Sequence, residues 1–452
     1  VNILTIFRRP DSSPPGIFLN AYPSCAIVQP SPFPLIELRM RLLHTSDWHL
    51  GQTLHNYDRT YEHQCFLDWL VDTIVSEEAD ALLIAGDIFD NANPASAAQR
   101  QLYRFLQQAK ARAPHVQIVV IAGNHDSPGR LEAPGPLLEA HGTVVIGNVV
   151  RNREGAIDLE RLIVPLRDKS GEVKAWCLGV PFLRPGDVPK SDAEGDAYLN
   201  GIALLYQQAF ELAQSRCEEG QAILAMGHCH MVDGQSSIDS ERRIVIGGTE
   251  ALPASMFAPE IAYAALGHLH LAQRVGKKDH LRYSGSPLPL SFAEVGYQHQ
   301  ILRIDLEGPV AREVTPLLVP RAVELLRVPP KPALLPEVLA ALESLELDAD
   351  LPPQCRPYLE VRVLLDGPEP SLRAQVEAAI AGKPVRLAKI EPTRKVVTRE
   401  DGADALTLDQ LAQLQPDDIF RRLWQQRFGE DAPNEQLSAF AELMLPGDAE
   451  RA

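Results

Sequence analysis

Five short apolar runs in this sequence each end in side chains that can bind a metal ion. RLLHTSDWH delivers Asp47 and His49, and ALLIAGDIFD delivers Asp87 and Asp90. QIVVIAGNHD supplies Asn124, His125 and Asp126, AILAMGHCH supplies His228 and His230, and YAALGHLH supplies His268 and His270. The set holds imidazoles, carboxylates and one amide oxygen, with no thiolate. Such borderline-to-hard donors suit manganese, iron or zinc more than a Cys-type structural zinc. One carboxylate among several neutral imidazoles is placed to bridge two cations ~3.5–4 Å apart, the spacing used for in-line displacement at phosphorus. A lone D-x-H or G-H-x-H is a weak signal, and a single histidine is more often an ordinary core or surface residue. The ordered series D-x-H, G-D-x-x-D, G-N-H-D, G-H and G-H-x-H, each closing an apolar run, is specific. His230 repeats the pattern but is expected outside the direct ligands. His44, His55, His63, His115, His141, His280 and His299 lack such placement and default to structural or surface roles.

The elements that must position these groups follow from the apolar pattern. Residues 41–47, 81–87 and 117–126 read as buried strands, separated by amphipathic helices over 61–79 and 97–113. Continuous apolar strands alternating with helices predict a layered α/β domain with parallel pairing. Runs at 222–228, 243–248 and 263–268 extend the sheets, and a long helix over 201–219 precedes the first of them. Ligands in open α/β sheets bind beyond the carboxyl ends of the strands, so residues 47 to 270 can converge on one crevice. Gly86, Gly123, Gly227 and Gly267 precede the ligands and leave room for a sharp turn.

Length and composition bound the remainder. The chain has 452 residues, enough for two or three domains, and no apolar run reaches the ~20 residues of a membrane span. Six scattered cysteines without a C-x-x-C pair argue against a disulfide framework and fit a reducing cytoplasm. Sixty acidic against 43 basic residues give a net charge of −17, which argues against an autonomous nucleic-acid-binding module. The basic residues Lys383, Arg386, Lys389, Arg394, Lys395 and Arg399 gather within 383–399, a stripe that suits either a phosphate backbone or plain solvent. Residues 1–39, rich in Pro and Ser, are expected to be a non-native or disordered extension, with Met40 as the working start. The domain reading continues with 40–308 as the catalytic domain and 309–336 as a Pro-rich connection. A small β-α-β unit occupies 337–399, and two helices, 417–428 and 434–445, lie within 400–452. The helices carry Ile419, Phe420, Leu423, Trp424, Phe428, Leu437, Phe440, Leu443 and Met444, an apolar face that needs a partner.

The motifs TSDWHLG, GDIFDNANP, GNHDS, ALGHLH and YSGSPLPLSF resemble those of the calcineurin-like metallophosphoesterase superfamily, and within it the SbcD and Mre-type nuclease family. The resemblance runs from Met40 to about residue 305 and more loosely beyond. It implies an α/β fold: a layered metallophosphoesterase β-sandwich flanked by helices, a small α+β capping domain and a C-terminal helical pair. It also implies two divalent metal ions, usually Mn2+. One would sit on Asp47, His49, Asp87 and His270, and the other on Asp87, Asn124, His228 and His268. His125 would face the scissile phosphate as the catalytic non-ligand histidine, with Asp126 and Asp90 orienting it or a ligand. The implied activity is two-metal cleavage of DNA phosphodiester bonds, as a double-strand exonuclease and a single-strand or hairpin endonuclease, in repair, recombination and replication. The implied partners are DNA, an SbcC-like ATPase docking on 400–452, and a second nuclease subunit in a homodimer. A small-molecule or phosphoprotein phosphoesterase on the same metal core is the competing reading. The extra domain and helical tail weigh against it.

Overall fold

The fold is described from a computed structural model. It covers residues 39–394 except 192, 233 and 236–250, together with scattered positions between 420 and 440. In chain order the elements begin with β1 (Arg39–Thr45), a β2–β3 hairpin (Thr53–Leu54 and Tyr57–Asp58), α1 (Thr60–Ser76), β4 (Ala81–Ala85), α2 (Ser96–Arg112) and β5 (Gln117–Ile121). Two short helices, α3 (Pro128–Glu132) and α4 (Gly135–Glu139), lead to β6 (Thr143–Ile146), β7 (Ile163–Arg167) and β8 (Val173–Gly179). Then come α5 (Ala197–Gln214), β9 (Ala222–His228), β10 (Ile261–Gly267), β11 (Gln273–Arg274), β12 (Leu281–Tyr283), β13 (Gln300–Glu307) and β14 (Val310–Leu318). The last elements are β15 (Leu325–Leu334), α6 (Leu335–Glu343), β16 (Tyr358–Leu365), α7 (Leu372–Ala379) and β17 (Arg386–Arg394).

Two six-stranded sheets form a sandwich. The first has the order β14-β13-β1-β4-β5-β6 and the second β11-β12-β10-β9-β8-β7. In the first, β1, β4, β5 and β6 run parallel and β13 pairs antiparallel with β1. In the second, β8, β9, β10 and β12 are parallel. One apolar core lies between the sheets, and another lies between the first sheet and helices α1 and α2. Strands covered on both faces must be apolar throughout, which is why ALLIA and the 222–228 run carry no alternation. Trp48, fully buried, wedges edge-on against Phe66 of α1 and Phe105 of α2, at 5.5 and 5.3 Å between ring centroids.

The structure refines three sequence expectations. The Pro-rich stretch 309–336 carries strands β14 and β15 rather than bare connecting chain. Both strands lie at sheet edges, where a residue without an N–H removes no ladder bond from a second neighbour. Helix α5 starts at Ala197, ahead of the expected 201, because the Asp196 side chain accepts hydrogen bonds from Tyr198 N and Leu199 N. It ends at Gln214, before the acidic stretch expected to prolong it. The β-α-β unit is β16-α7-β17, joined by β15 in a three-stranded sheet. The strand expected at 243–248 and the extension 1–38 lie outside the described residues.

The chain divides into two compact units, one made of 1–363 with 369–392 and the other of 364–368 with 393–452. In the second, Phe420 stacks on Phe440 with centroids 4.5 Å apart and lies beside Trp424, so part of the apolar face seals the helical pair itself. Ile419, Leu423, Phe428, Leu443 and Met444 lie outside the described residues. Among the described residues no helix is long and apolar enough to cross a membrane.

Candidate metal centre

The loops after β1, β4, β5, β9 and β10 meet at one end of the sandwich, and their backbones are shaped for that meeting. Asp47, His49, Asp87 and His268 all have positive φ, of 54°, 48°, 49° and 104°. Side chains other than glycine take that conformation rarely and at a cost, and such residues cluster at functional sites. Backbone bonds offset the cost here: Asp47 N donates to Gly86 O, His49 N to Asp87 O, and Leu50 N to Ile88 O. Gly86 turns the chain at φ 92°, while Gly123 and Gly267 serve closeness. A Cβ on Gly123 would fall 2.1 Å from Asp87 Oδ1, and one on Gly267 would fall 1.9 Å from Ala85 O.

Asp47, Asp87, His49, His228, His268 and His270 are all buried. Three groups of potential ligand atoms each fall within 4.8 Å of one another: Asp47, His49 and His270; Asp47, Asp87 and His228; and His49, Asp90 and His125. One oxygen of Asp87, Oδ2, lies 3.4 Å from His228 Nε2 and 3.7 Å from His49 Nε2, between the two sides of the cluster. Asn124 Oδ1 lies 2.9 Å from His228 Nε2 and 3.1 Å from His268 Nδ1. Residues from all five motifs therefore come together. His230 stands at the margin, its ring 6.3 Å from that of His268, and belongs to none of the three groups.

The donor chemistry fits cations. His228 Nδ1–H donates to Ala85 O at 2.9 Å, which in the neutral ring leaves Nε2 as a lone pair facing the amide oxygen of Asn124. Two acceptors 2.9 Å apart require a proton or a metal ion to reconcile them. Likewise His49 Nε2 is buried with no hydrogen-bond partner among the described residues, a costly state for a polar atom unless a metal takes the lone pair. The charges agree. Burial works to raise the Asp87 carboxyl, but the neighbouring imidazoles, His228 foremost, hold it well below the usual carboxylate range. Burial works against a charged His228, yet Asp87 outweighs it and raises that imidazole to about 9. Burial, reinforced by His228, holds His268 well below the ordinary histidine value.

A surrounding set of bonds fixes these groups. The Asp47 carboxylate accepts from His268 N at 3.0 Å and from Ser46 Oγ at 2.5 Å. Asp126 is fully buried and accepts from the backbone N–H groups of Ile88, Phe89 and Gly123 at 2.9–3.1 Å. It thereby ties the loop carrying Asp87 to the loop carrying Asn124. Burial and then the Asp87 charge push its carboxyl up to about 6. Asp90 acts through two atoms: its carbonyl accepts from His125 Nδ1 at 2.7 Å, and its carboxylate lies 3.5 Å from His49 Nδ1. His125 N donates to Asp87 Oδ1 at 2.8 Å, and its ring is 4.8 Å from that of His49.

One supporting residue carries no signal in the sequence. Glu294, fully buried in a single 3-10 turn (Phe292–Glu294), accepts from His270 Nδ1 at 2.9 Å and from Leu290 N at 2.7 Å. A carboxylate–histidine pairing of this kind sets the tautomer and basicity of the imidazole, as is found behind metal-binding histidines. Three of the four described basic residues of the 383–399 stripe are engaged within the protein. Lys383 Nζ caps the carbonyls of Glu343 and Leu345, and Arg386 stacks 3.8 Å over the Tyr358 ring. Lys389 pairs with Glu360 and Glu391. Lys395 and Arg399 lie outside the described residues.

Comparison with known proteins gives two family matches. The family described as calcineurin-like phosphoesterase matches residues 40–272, and the one described as the type 5 capsule protein repressor C-terminal domain matches 321–428. The chain is 42% identical over 369 residues to the SbcD subunit of the SbcCD nuclease of Rhodobacter capsulatus, covering 80% of this chain and 90% of that protein. It is 32% identical over 390 residues to the protein of the same name from Escherichia coli K12, covering 85% and 92%. With the Bacillus subtilis counterpart it shares 37% identity over 269 residues, covering 59% and 66%.

Proposed function

The chain belongs to the calcineurin-like phosphoesterases and, among them, to the SbcD nuclease subunits, and from that premise we propose that it is a metal-dependent DNA nuclease. Its substrates are duplex ends, cut as an exonuclease, and single-stranded or hairpin DNA, cut as an endonuclease, and it works with an SbcC-like ATPase. The observation that carries this reading is Asp87 Oδ2 standing 3.7 Å from His49 Nε2 and 3.4 Å from His228 Nε2, where one carboxylate oxygen could serve cations on both sides.

In this proposal Asp47, His49, Asp87 and His270 hold one divalent ion, and Asp87, Asn124, His228 and His268 hold the other, with manganese as the metal. Bound there, two such ions would supply a nucleophilic water at neutral pH and neutralise charge developing on the phosphoryl oxygens. The protein's own contribution is positional. Glu294 holds the His270 Nδ1 proton and so directs Nε2 to the cluster. The Asp90 carbonyl holds the His125 Nδ1 proton, so proton exchange with the departing oxygen falls to Nε2. Asp126 keeps the Asp87 and Asn124 loops in register and acts only through them.

The remaining partners are proposals of the same kind. The helices within 400–452 dock on the ATPase, and the sheet β15-β16-β17 with α6 and α7 forms the cap. An exposed apolar groove lined by Tyr103, Leu106, Leu137 and Leu138, with Leu137 73% exposed, supports pairing of two nuclease subunits. Free thiols at all five described cysteines accord with a cytoplasmic setting. The test is cleavage of blunt duplex and hairpin DNA with Mn2+, with and without the ATPase. Metal-dependent cleavage that the ATPase strengthens is expected. Turnover of small phosphoesters with no DNA cleavage under either condition would favour the competing phosphoesterase reading.

A further inference from the structure

The catalytic domain is acidic, yet its substrate is a polyanion, so a cation held beside the metal cluster carries unusual weight. The loop after β8 supplies one. Phe182 N donates to Ala122 O at 2.8 Å, which seats the loop against the end of β5, just before Gly123 and Asn124. The Phe182 ring meets the His228 ring edge-on at 6.3 Å. The Arg184 guanidinium then lies 5.6 Å over the Phe182 ring, within cation–π range.

The loop is built to hold that arginine still. Arg184 N donates to Asp187 Oδ2 at 2.8 Å and Asp187 N returns a bond to Arg184 O at 2.9 Å, closing a turn over Pro185 and Gly186. Tyr198 Oη donates to Leu183 O, and Arg151 donates to Gly186 O and Val188 O. Every one of these bonds engages the backbone of the turn. The Arg184 side chain is exposed and enters no ion pair among the described residues, unlike Lys383, Arg386 and Lys389, which are engaged within the protein. The two ring contacts place it no more than about 12 Å from the His228 ring, a span that takes in the phosphates flanking a scissile bond in one nucleic-acid strand.

We propose that Arg184, braced on Phe182, binds a backbone phosphate flanking the scissile one, and so favours polynucleotides over isolated phosphodiesters. This rests on the nuclease reading. The prestacked guanidinium loses little freedom on meeting the phosphate, and a planar fork suits a phosphate's paired oxygens.

The test compares wild type, Arg184→Gln and Arg184→Lys as full-length chains with Mn2+. One substrate is a single-stranded oligonucleotide and the other is bis(p-nitrophenyl) phosphate, which has no flanking phosphate. For Arg184→Gln we expect KM for the oligonucleotide to rise about 10-fold, in line with loss of one charge-assisted contact. The slope of log(1/KM) against log salt should fall by about 0.7, the value for one single-strand phosphate contact. Arg184→Lys should restore the slope but only part of the affinity, and both variants should hydrolyse the small diester at the wild-type rate. Wild-type cleavage of DNA with an unchanged slope in Arg184→Gln would overturn the proposal alone. Equal losses on both substrates would also overturn it, by showing a general disturbance of the cluster. A wild-type chain that hydrolyses the diester but never DNA would overturn the nuclease reading and the proposal with it.

Discussion

Glu294→Gln isolates what one buried carboxylate does for His270, a proposed metal ligand. The wild-type side chain accepts His270 Nδ1–H on one oxygen and Leu290 N–H on the other, with no solvent exposure. Glutamine keeps the shape but turns one oxygen into a donor. If the amide oxygen serves His270, the NH2 group faces Leu290 N–H, and an unsatisfied buried pair costs about 1–3 kcal/mol of stability. If the oxygen serves Leu290, the NH2 group donates to His270 Nδ1, the ring proton moves to Nε2, and the nitrogen meant for the cation is blocked. Both routes also remove the negative charge that makes His270 a stronger donor. Together they predict a 10- to 100-fold loss of metal affinity, or about 1.4–2.7 kcal/mol. The assay is calorimetric titration of metal-stripped protein with Mn2+, alongside thermal melts of the metal-free chain. Affinity within twofold of wild type and an unchanged melt would refute the reasoning, since neither orientation of the amide can satisfy both donors.

Other outcomes follow from the same geometry. His125→Ala should bind metal as wild type does but turn over at least ~10²-fold more slowly, measured by titration and by hydrolysis of a small phosphodiester. Acid should destabilise the fold through His44 and His63, both buried and pushed down to about 3 by burial. The unfolded chain takes up these protons below about pH 6.5 while the native one refuses them, so their stability contribution is whole above that pH and shrinks as pH falls toward 3. At pH 5 the loss is about 2 kcal/mol for each histidine, readable as a lower denaturation midpoint than at pH 7. Removing residues 400–452 should abolish association with an SbcC-like ATPase in a pull-down while leaving hydrolysis of a small phosphodiester intact. Persistent association would place the docking surface elsewhere.

The convergence of the donor side chains was readable because their positions are tied to strand ends. An apolar run such as ALLIA can only be a strand covered on both faces, so the polar residue that follows it must emerge where the sheet stops. Five such runs fix five points of emergence without any knowledge of loops. Glu294 followed no such rule. It lies in a three-residue turn after a Pro-rich stretch, where no periodicity separates a buried carboxylate from a solvated one. The edge strands β14 and β15 were obscured by their prolines, which mark connections as readily as sheet edges. The basic stripe left two readings open for a different reason: sequence counts charges but does not reveal that Lys383 caps a helix or that Arg386 lies on Tyr358.

The donor groups come from both halves of the sandwich. Asp47, His49, Asp87 and Asn124 follow strands of the first sheet, while His228, His268 and His270 end or follow strands of the second. A cation shared between them is then a ligand of the native state alone, since unfolding scatters the donors onto separate segments. At a free concentration about 100 times its dissociation constant, each such ion would add about 2.7 kcal/mol to the stability of the fold. On the two-metal reading, stripping divalent metal with a chelator would lower the thermal midpoint of this domain as well as its activity.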